Sequence, residues 1–147
     1  MAAFKSKMVV VMRRDLRNSD GNKLPKGKLI AQGGHGYAGA LLQLMTGGHE
    51  SFMPEITNGE YELKLTVKEG SFLDDWIRGI FTKICLGVDS EKELLDIYTT
   101  SRQAGLNTVL IQDQGHTQFS EPTYTCIGIG PHNEEEIDRI TGHLKSY

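Results

Sequence analysis

Residues 83–111 read KICLGVDSEKELLDIYTTSRQAGLNTVLI, and this stretch holds a complete strand–helix–strand unit. Lys83 to Val88 is a short apolar run with β-branched residues, which predicts a buried strand. Ser90 followed three residues later by Glu93 is a capping box, so a helix starts there. Leu94, Leu95 and Tyr98 give it an apolar face, and Gly105 stops it as a C-terminal cap. Thr108 to Ile111 is the next strand. A strand, a helix and a strand in succession predict a right-handed crossover between strands running the same way. The fold class is therefore α/β.

Upstream, residues 7–14 read KMVVVMRR, a valine-rich run that predicts a central strand buried on both faces, with arginines at its end. Residues 18–22 form a polar loop, and Pro25 precedes a helix expected over 27–46 and closed by Gly47-Gly48. On that helix Lys28, Gln32 and His35 share one face, being four and seven residues apart. Gly33, Gly34, Gly36 and Gly39 crowd the same segment at about 1 kcal/mol each relative to alanine. Either close packing on a sheet or the approach of another backbone explains them; packing leaves the polar trio unexplained.

Residues 59–67 alternate, with Tyr61, Leu63, Leu65 and Val67 on one side, which predicts an inserted edge strand or hairpin. A short amphipathic helix is expected over 72–80, with Asp74 and Asp75 as first-turn acids rather than a catalytic pair. Asp113 opens a polar loop, DQGHTQ, and 125–129 is a last strand ended by Gly130-Pro131. Asn133 caps a final helix whose Glu134, Glu135 and Glu136 suit its positive end. Strands thus alternate with helices around a small, mostly buried sheet. Ligands of such sheets bind outside the carboxyl ends of the strands, here Arg13-Arg14, Asp89 and Asp113.

At 147 residues the chain fits a single domain. The N-terminal sequence MAAFKSK has no apolar core of a leader, and the longest clearly apolar run, 8–12, is far short of a membrane span. Cys85 and Cys126 sit inside apolar runs, as buried reduced thiols do, so a cytoplasmic protein is expected. Net charge is −3, yet residues 1–28 carry eight Lys/Arg against two acids while the other 119 carry eight against seventeen. That asymmetry predicts one basic face for phosphate, with a merely solvated basic arm as the alternative.

Several motifs fail on context. Gly34 to Gly39 matches GxGxxG but does not directly follow a strand. Residues 21–29 miss a P-loop by one residue and place Leu29 where a magnesium-binding hydroxyl belongs. The histidines (35, 49, 116, 132 and 143) lack metal-ligand spacing, so no metal is expected, and neither cysteine is placed as a nucleophile.

Taken together, KMVVVMRRDL, KGKLIAQGGH, the DSEKELLDIY–AGLNTVLIQDQGHTQ block and the closing IGIGP–EEEIDRITGHL resemble peptidyl-tRNA hydrolase of the archaeal and eukaryotic type, type 2. The resemblance covers about four-fifths of the chain in the family's order. It implies one three-layer α/β/α sandwich over 1–147 with a four-stranded mixed sheet, and a segment inserted at 48–71. It implies hydrolysis of the ester between a peptide and the 3′ ribose of tRNA, no cofactor or metal, and a homodimer. Carried over by position, Lys28, His35, Asp113 and Thr117 are the catalytic candidates. Arg13, Arg14, Arg17, Lys23 and Lys26 are candidates to hold the tRNA acceptor stem, with Gln32 and Gln118 as further substrate contacts. The chain departs from the family's pattern at Gly33, Gly36, Gly87 and His116. Two other classes remain open: a non-catalytic RNA- or protein-binding module on the same fold, and a hydrolase of other small esters.

Overall fold

The computed structural model describes residues 5–46 and 56–147. Strand β1 (Ser6–Arg13) leads to helix α1 (Lys26–Met45), then α2 (Phe72–Arg78) and β2 (Lys83–Val88). Helix α3 (Glu91–Gln103), β3 (Thr108–Asp113), β4 (Thr123–Asn133) and α4 (Glu134–Thr141) complete the chain. The four strands lie in the order β2-β1-β4-β3, with β1 parallel to β2 and β4 antiparallel to both β1 and β3. β2 and β3 therefore run the same way but occupy opposite edges, and α3 carries the chain across the sheet between them. The mixed α/β sandwich is as expected.

β1 is central because every side chain of its middle finds an apolar partner. Met8, Val10 and Met12 point to the face covered by α1 and α2, where Ala40, Trp76, Val109, Ile111 and Cys126 join them. Val9 and Val11 point the other way, to Leu94 of α3 and Ile137 of α4. Full burial of one such aliphatic side chain stabilises the fold by about 1.5–3 kcal/mol, so these two clusters dominate the core.

The glycines of α1 let it lie directly on the sheet. A Cβ at Gly128 of β4 would stand 2.0 Å from the Gly36 carbonyl oxygen, and one at Gly36 would meet Val10 Cγ2 at 2.7 Å. Gly34, by contrast, faces outward with nothing within 4 Å of a Cβ position. Close packing thus accounts for Gly36 and its partner, and leaves Gly34 without a packing reason.

The caps follow the sequence. Ser90 Oγ accepts from the Glu93 N–H at 3.1 Å, and Asn133 Oδ1 accepts from the Glu136 N–H at 3.0 Å. Asp74 lies in the first turn of α2, bonded to Arg78 at 2.8 Å. The end of α1 is Met45 with Thr46 as its cap; the expected Gly47-Gly48 stop lies outside the described residues, as does part of the 48–71 insertion.

Two expectations need correction. Residues 59–67 form no strand of the sheet: beyond a bridge between Thr57 and Glu60 they pair with nothing among the described residues. Leu65 and Val67 are half-buried while Tyr61 and Leu63 are exposed, so the alternation never gains a ladder neighbour. One sheet edge, β2, is instead met by Ser146 opposite Leu86. The last strand also runs past Gly130-Pro131 to Asn133, because Ser6 and Lys7 pair with Asn133 and His132. The β1–β4 register shifts between Lys7 and Val9, an irregularity of the kind where a proline without an N–H is tolerated.

Candidate active site

β1, β2 and β3 all end at the same rim of the sheet, and the first turn of α1 rises beside it. Lys28 and Gln32, one turn apart on α1, both reach Asp113 at the end of β3. Lys28 Nζ lies 2.7 Å from Asp113 Oδ2 and 2.5 Å from Thr117 Oγ1. Gln32 Nε2 donates to Asp113 Oδ2 at 3.0 Å, and the Gly115 N–H donates to Asp113 Oδ1 at 2.8 Å. The orientation of the Gln32 amide is fixed from behind, since Thr125 Oγ1 donates to its Oε1 at 2.6 Å. Gln32 is fully buried, and the Lys28 and Asp113 side chains are only 14% and 11% exposed.

This environment decides the state of the carboxylate. Burial alone pushes the Asp113 carboxyl up, but the Lys28 hydrogen bond, the Gly115 N–H, the Lys28 charge and the Gln32 amide together outweigh it. Asp113 is held below the usual carboxylate range, hence ionised at neutral pH and a weak base. Lys28 has three N–H donors, and among the described residues two are committed, to Asp113 and Thr117. The third is available to an incoming oxygen. Phe119, buried beneath, places its ring 5.7 Å from the ammonium.

His35 shares the face of Lys28 and Gln32 but is exposed and bonds to nothing among the described residues. Gln118 is half-buried, with its main-chain oxygen accepting from the Ser19 N–H at 3.1 Å. Cys126 lies behind the site, its thiol pushed up to about 12 by burial, so it stays protonated and is no nucleophile. Among the described residues no group of three His, Cys, Asp or Glu comes together to hold a metal, and no helix is long and apolar enough to cross a membrane.

The basic candidates divide. Arg13 is committed inward, with Nε and Nη2 on Asp15 at 2.9 Å each and Nη1 on the Tyr124 carbonyl at 3.0 Å. Arg14 Nη2 donates to the carbonyls of Lys145 and Ser146 at 3.1 and 2.7 Å. Arg17 spends Nη1 on the Arg14 and Leu16 carbonyls and is otherwise exposed. Lys23 and Lys26 are exposed with no partner among the described residues. Thr125, Gly115 and Phe119 were not singled out by the sequence. Only Thr125 left a signal, as a hydroxyl beginning an otherwise apolar run.

A sandwich that sets a buried amide and a lysine of α1 against an ionised aspartate at a strand end, with one lysine N–H left over, has the make-up of a small α/β enzyme. The chain belongs to the family described as Peptidyl-tRNA hydrolase PTH2, whose family model matches residues 6–147. It is 40% identical over 139 residues to the peptidyl-tRNA hydrolase of Methanocaldococcus jannaschii, covering 95% of this chain and 97% of the relative. It is 34% identical over 138 residues to that of Methanopyrus kandleri, covering 94% and 95%. A probable peptidyl-tRNA hydrolase 2 of Drosophila melanogaster is 36% identical over 139 residues, 95% of this chain and 60% of that protein.

Proposed function

We propose that this chain hydrolyses the ester between a peptide and the 3′ end of tRNA, with Lys28 as the group that stabilises the developing oxyanion. The observation that carries this reading is the third N–H of Lys28, left over when Asp113 and Thr117 have fixed the other two. A donor held in place before the reaction costs no reorganisation when charge develops, which is what ester hydrolysis needs. The names of the relatives support the substrate.

In this reading water attacks the ester carbonyl directly, and Lys28 supplies the positive charge. Asp113 accepts a hydrogen bond from the water and orients it, while its low basicity makes it a holder more than a remover of protons. His35, exposed on the same face and unpartnered among the described residues, takes the proton of the attacking water and returns it to the leaving 3′ oxygen as the acyl–oxygen bond breaks. Thr117 fixes Lys28 and positions substrate by its hydroxyl. Arg14, Arg17, Lys23 and Lys26 supply phosphate contacts at the acceptor end of the tRNA, which give affinity without reading sequence. Arg13 supports the fold around that face through Asp15. The family likeness further supports a homodimer, tested by light scattering, and the two unpaired thiols suit a reducing cytoplasm.

The test is release of labelled peptide from an N-blocked aminoacyl-tRNA by the purified chain. Turnover far above the buffer blank is expected. Binding of the tRNA without release would mean a binding module that has kept the fold and dropped the chemistry.

A further inference from the structure

On the β2 side of α1, two depressions share Lys26, Leu29 and Tyr147 and so form one groove. One half, of about 390 Å³, is lined by Arg14, Arg17, Lys23 and Lys26, with Asp89 3.8 Å from the Arg14 guanidinium. The other, of about 540 Å³, is apolar, with Met12, Ile30, Tyr37 and Cys85 in its walls. Ile30 stands at its rim 76% exposed, an apolar side chain that gains nothing from its position in the chain alone.

We propose that this groove takes the unpaired 3′ end of the substrate RNA, phosphates in the basic half and a base against Tyr147 and Tyr37 in the apolar half. The proposal rests on the function proposed above and adds where the strand lies. Cations lining one end and aromatic faces at the other are the two elements by which single strands are held. A peptide in the apolar half leaves Lys23 and Lys26, which have no side-chain partner among the described residues, without a purpose. A second copy related by a twofold axis through the groove would bring the same cations face to face. Both alternatives fit the charge less well.

The groove and the lysine–aspartate cluster flank the first turn of α1. Lys26 lines the groove and Lys28, two residues on, holds Asp113, while Gly27 between them has nothing within 4 Å of a Cβ position. The shared wall is fixed as well. The Tyr147 N–H donates to the Cys85 carbonyl at 3.0 Å, and Arg14 holds the two preceding carbonyls. Arg14 reaches them by lying on Gly87, where a Cβ would fall 2.2 Å from its Cζ. Its guanidinium is 5.9 Å from the Tyr147 ring.

The test compares two acceptor-stem hairpin RNAs, one blunt and one with a four-nucleotide unpaired 3′ tail, in binding to the purified chain. The tailed hairpin is expected to bind more tightly to wild type. Tyr147→Ala should weaken the tailed hairpin about fivefold or more and leave the blunt one unchanged, the loss of one stacked base. Tyr147→Phe should retain the tail's advantage, which controls for folding. A tail that adds nothing to wild-type binding, or a Tyr147→Ala loss equal for both RNAs, overturns the proposal. So does a loss that grows with peptide length on a peptidyl-tRNA, since the cleft then holds peptide. Tail-dependent binding with no hydrolysis by wild type overturns the proposed activity instead and leaves the groove standing.

Discussion

Replacing Gln32 with glutamate changes one atom group in a buried site and turns a hydrogen-bond donor into a second acid. In the wild type the Gln32 amide donates to Asp113 Oδ2 at 3.0 Å, held by Thr125. In Gln32→Glu the new carboxyl faces Asp113 at about the same separation. Two unit charges there repel by about 5 kcal/mol at an effective dielectric of 20, equal to about four pKa units before the pair shares a proton. Lys28 nearby takes back part of that. The pair therefore titrates as a unit, its upper step falling at about pH 6–8 instead of near 4. Below that step the shared proton donates to Asp113 as the amide does, and the site is intact. Above it the dianion draws Lys28 inward and away from substrate. Rate relative to wild type should be near one at pH 5.5 and fall at least tenfold by pH 8.5, once the blank for spontaneous ester loss is subtracted.

Stability has the same sign. The new carboxyl is raised in the folded state above its unfolded value of about 4.3, so the unfolded chain binds fewer protons between the two. The variant should lose stability, measured against wild type, as pH rises from about 4.3 through the raised step. Gln32→Leu, which removes the donor and strands the Thr125 hydroxyl, should cost about 1–3 kcal/mol with no such pH dependence. If Gln32→Glu follows the wild-type pH profile in both rate and melting temperature, Gln32 does not face Asp113 and the site is wrongly assembled.

Other expectations follow from single contacts. Gly128→Ala must push α1 off the sheet and should destabilise by about 3 kcal/mol or more, whereas Gly34→Ala should stabilise by about 0.5–1 kcal/mol; denaturant melts separate them. Because Asp113 is held low, its protonation cannot produce an acid limb in the rate near pH 6.5. His35→Gln should lower the rate at least tenfold; a rate within about twofold of wild type would remove His35 from the proton path. Lys23→Ala and Lys26→Ala should each lower the slope of log affinity against log salt by about one, with little effect on melting temperature.

The core was legible because β1 and the 83–111 unit carry their own signals. MVVVM, residues 8–12, has no polar position, so it had to be buried on both faces, and Ser90 with Glu93 marked a helix start that the hydrogen bonds reproduce. Residues 59–67 misled because alternation reports which side chains prefer burial and not whether a neighbouring strand exists. The extension of β4 past Pro131 was hidden for a related reason, since only the pairing with Ser6 and Lys7 continues it. In the site, helical spacing brought Lys28 and Gln32 together, and the order of the elements brought them to Asp113. It could not separate Arg13 from Lys23. Equal on paper, the first is tied to Asp15 and the second has no side-chain partner among the described residues.

The most direct test of the central claim is single-turnover release of peptide from an N-blocked aminoacyl-tRNA by Lys28→Met, whose side chain keeps much of the length without the charge. A rate at least 100-fold below wild type, with tRNA binding reduced far less, is the predicted result. A rate within about twofold of wild type, in a variant that still melts cooperatively, would contradict it and send the search for the oxyanion's partner elsewhere.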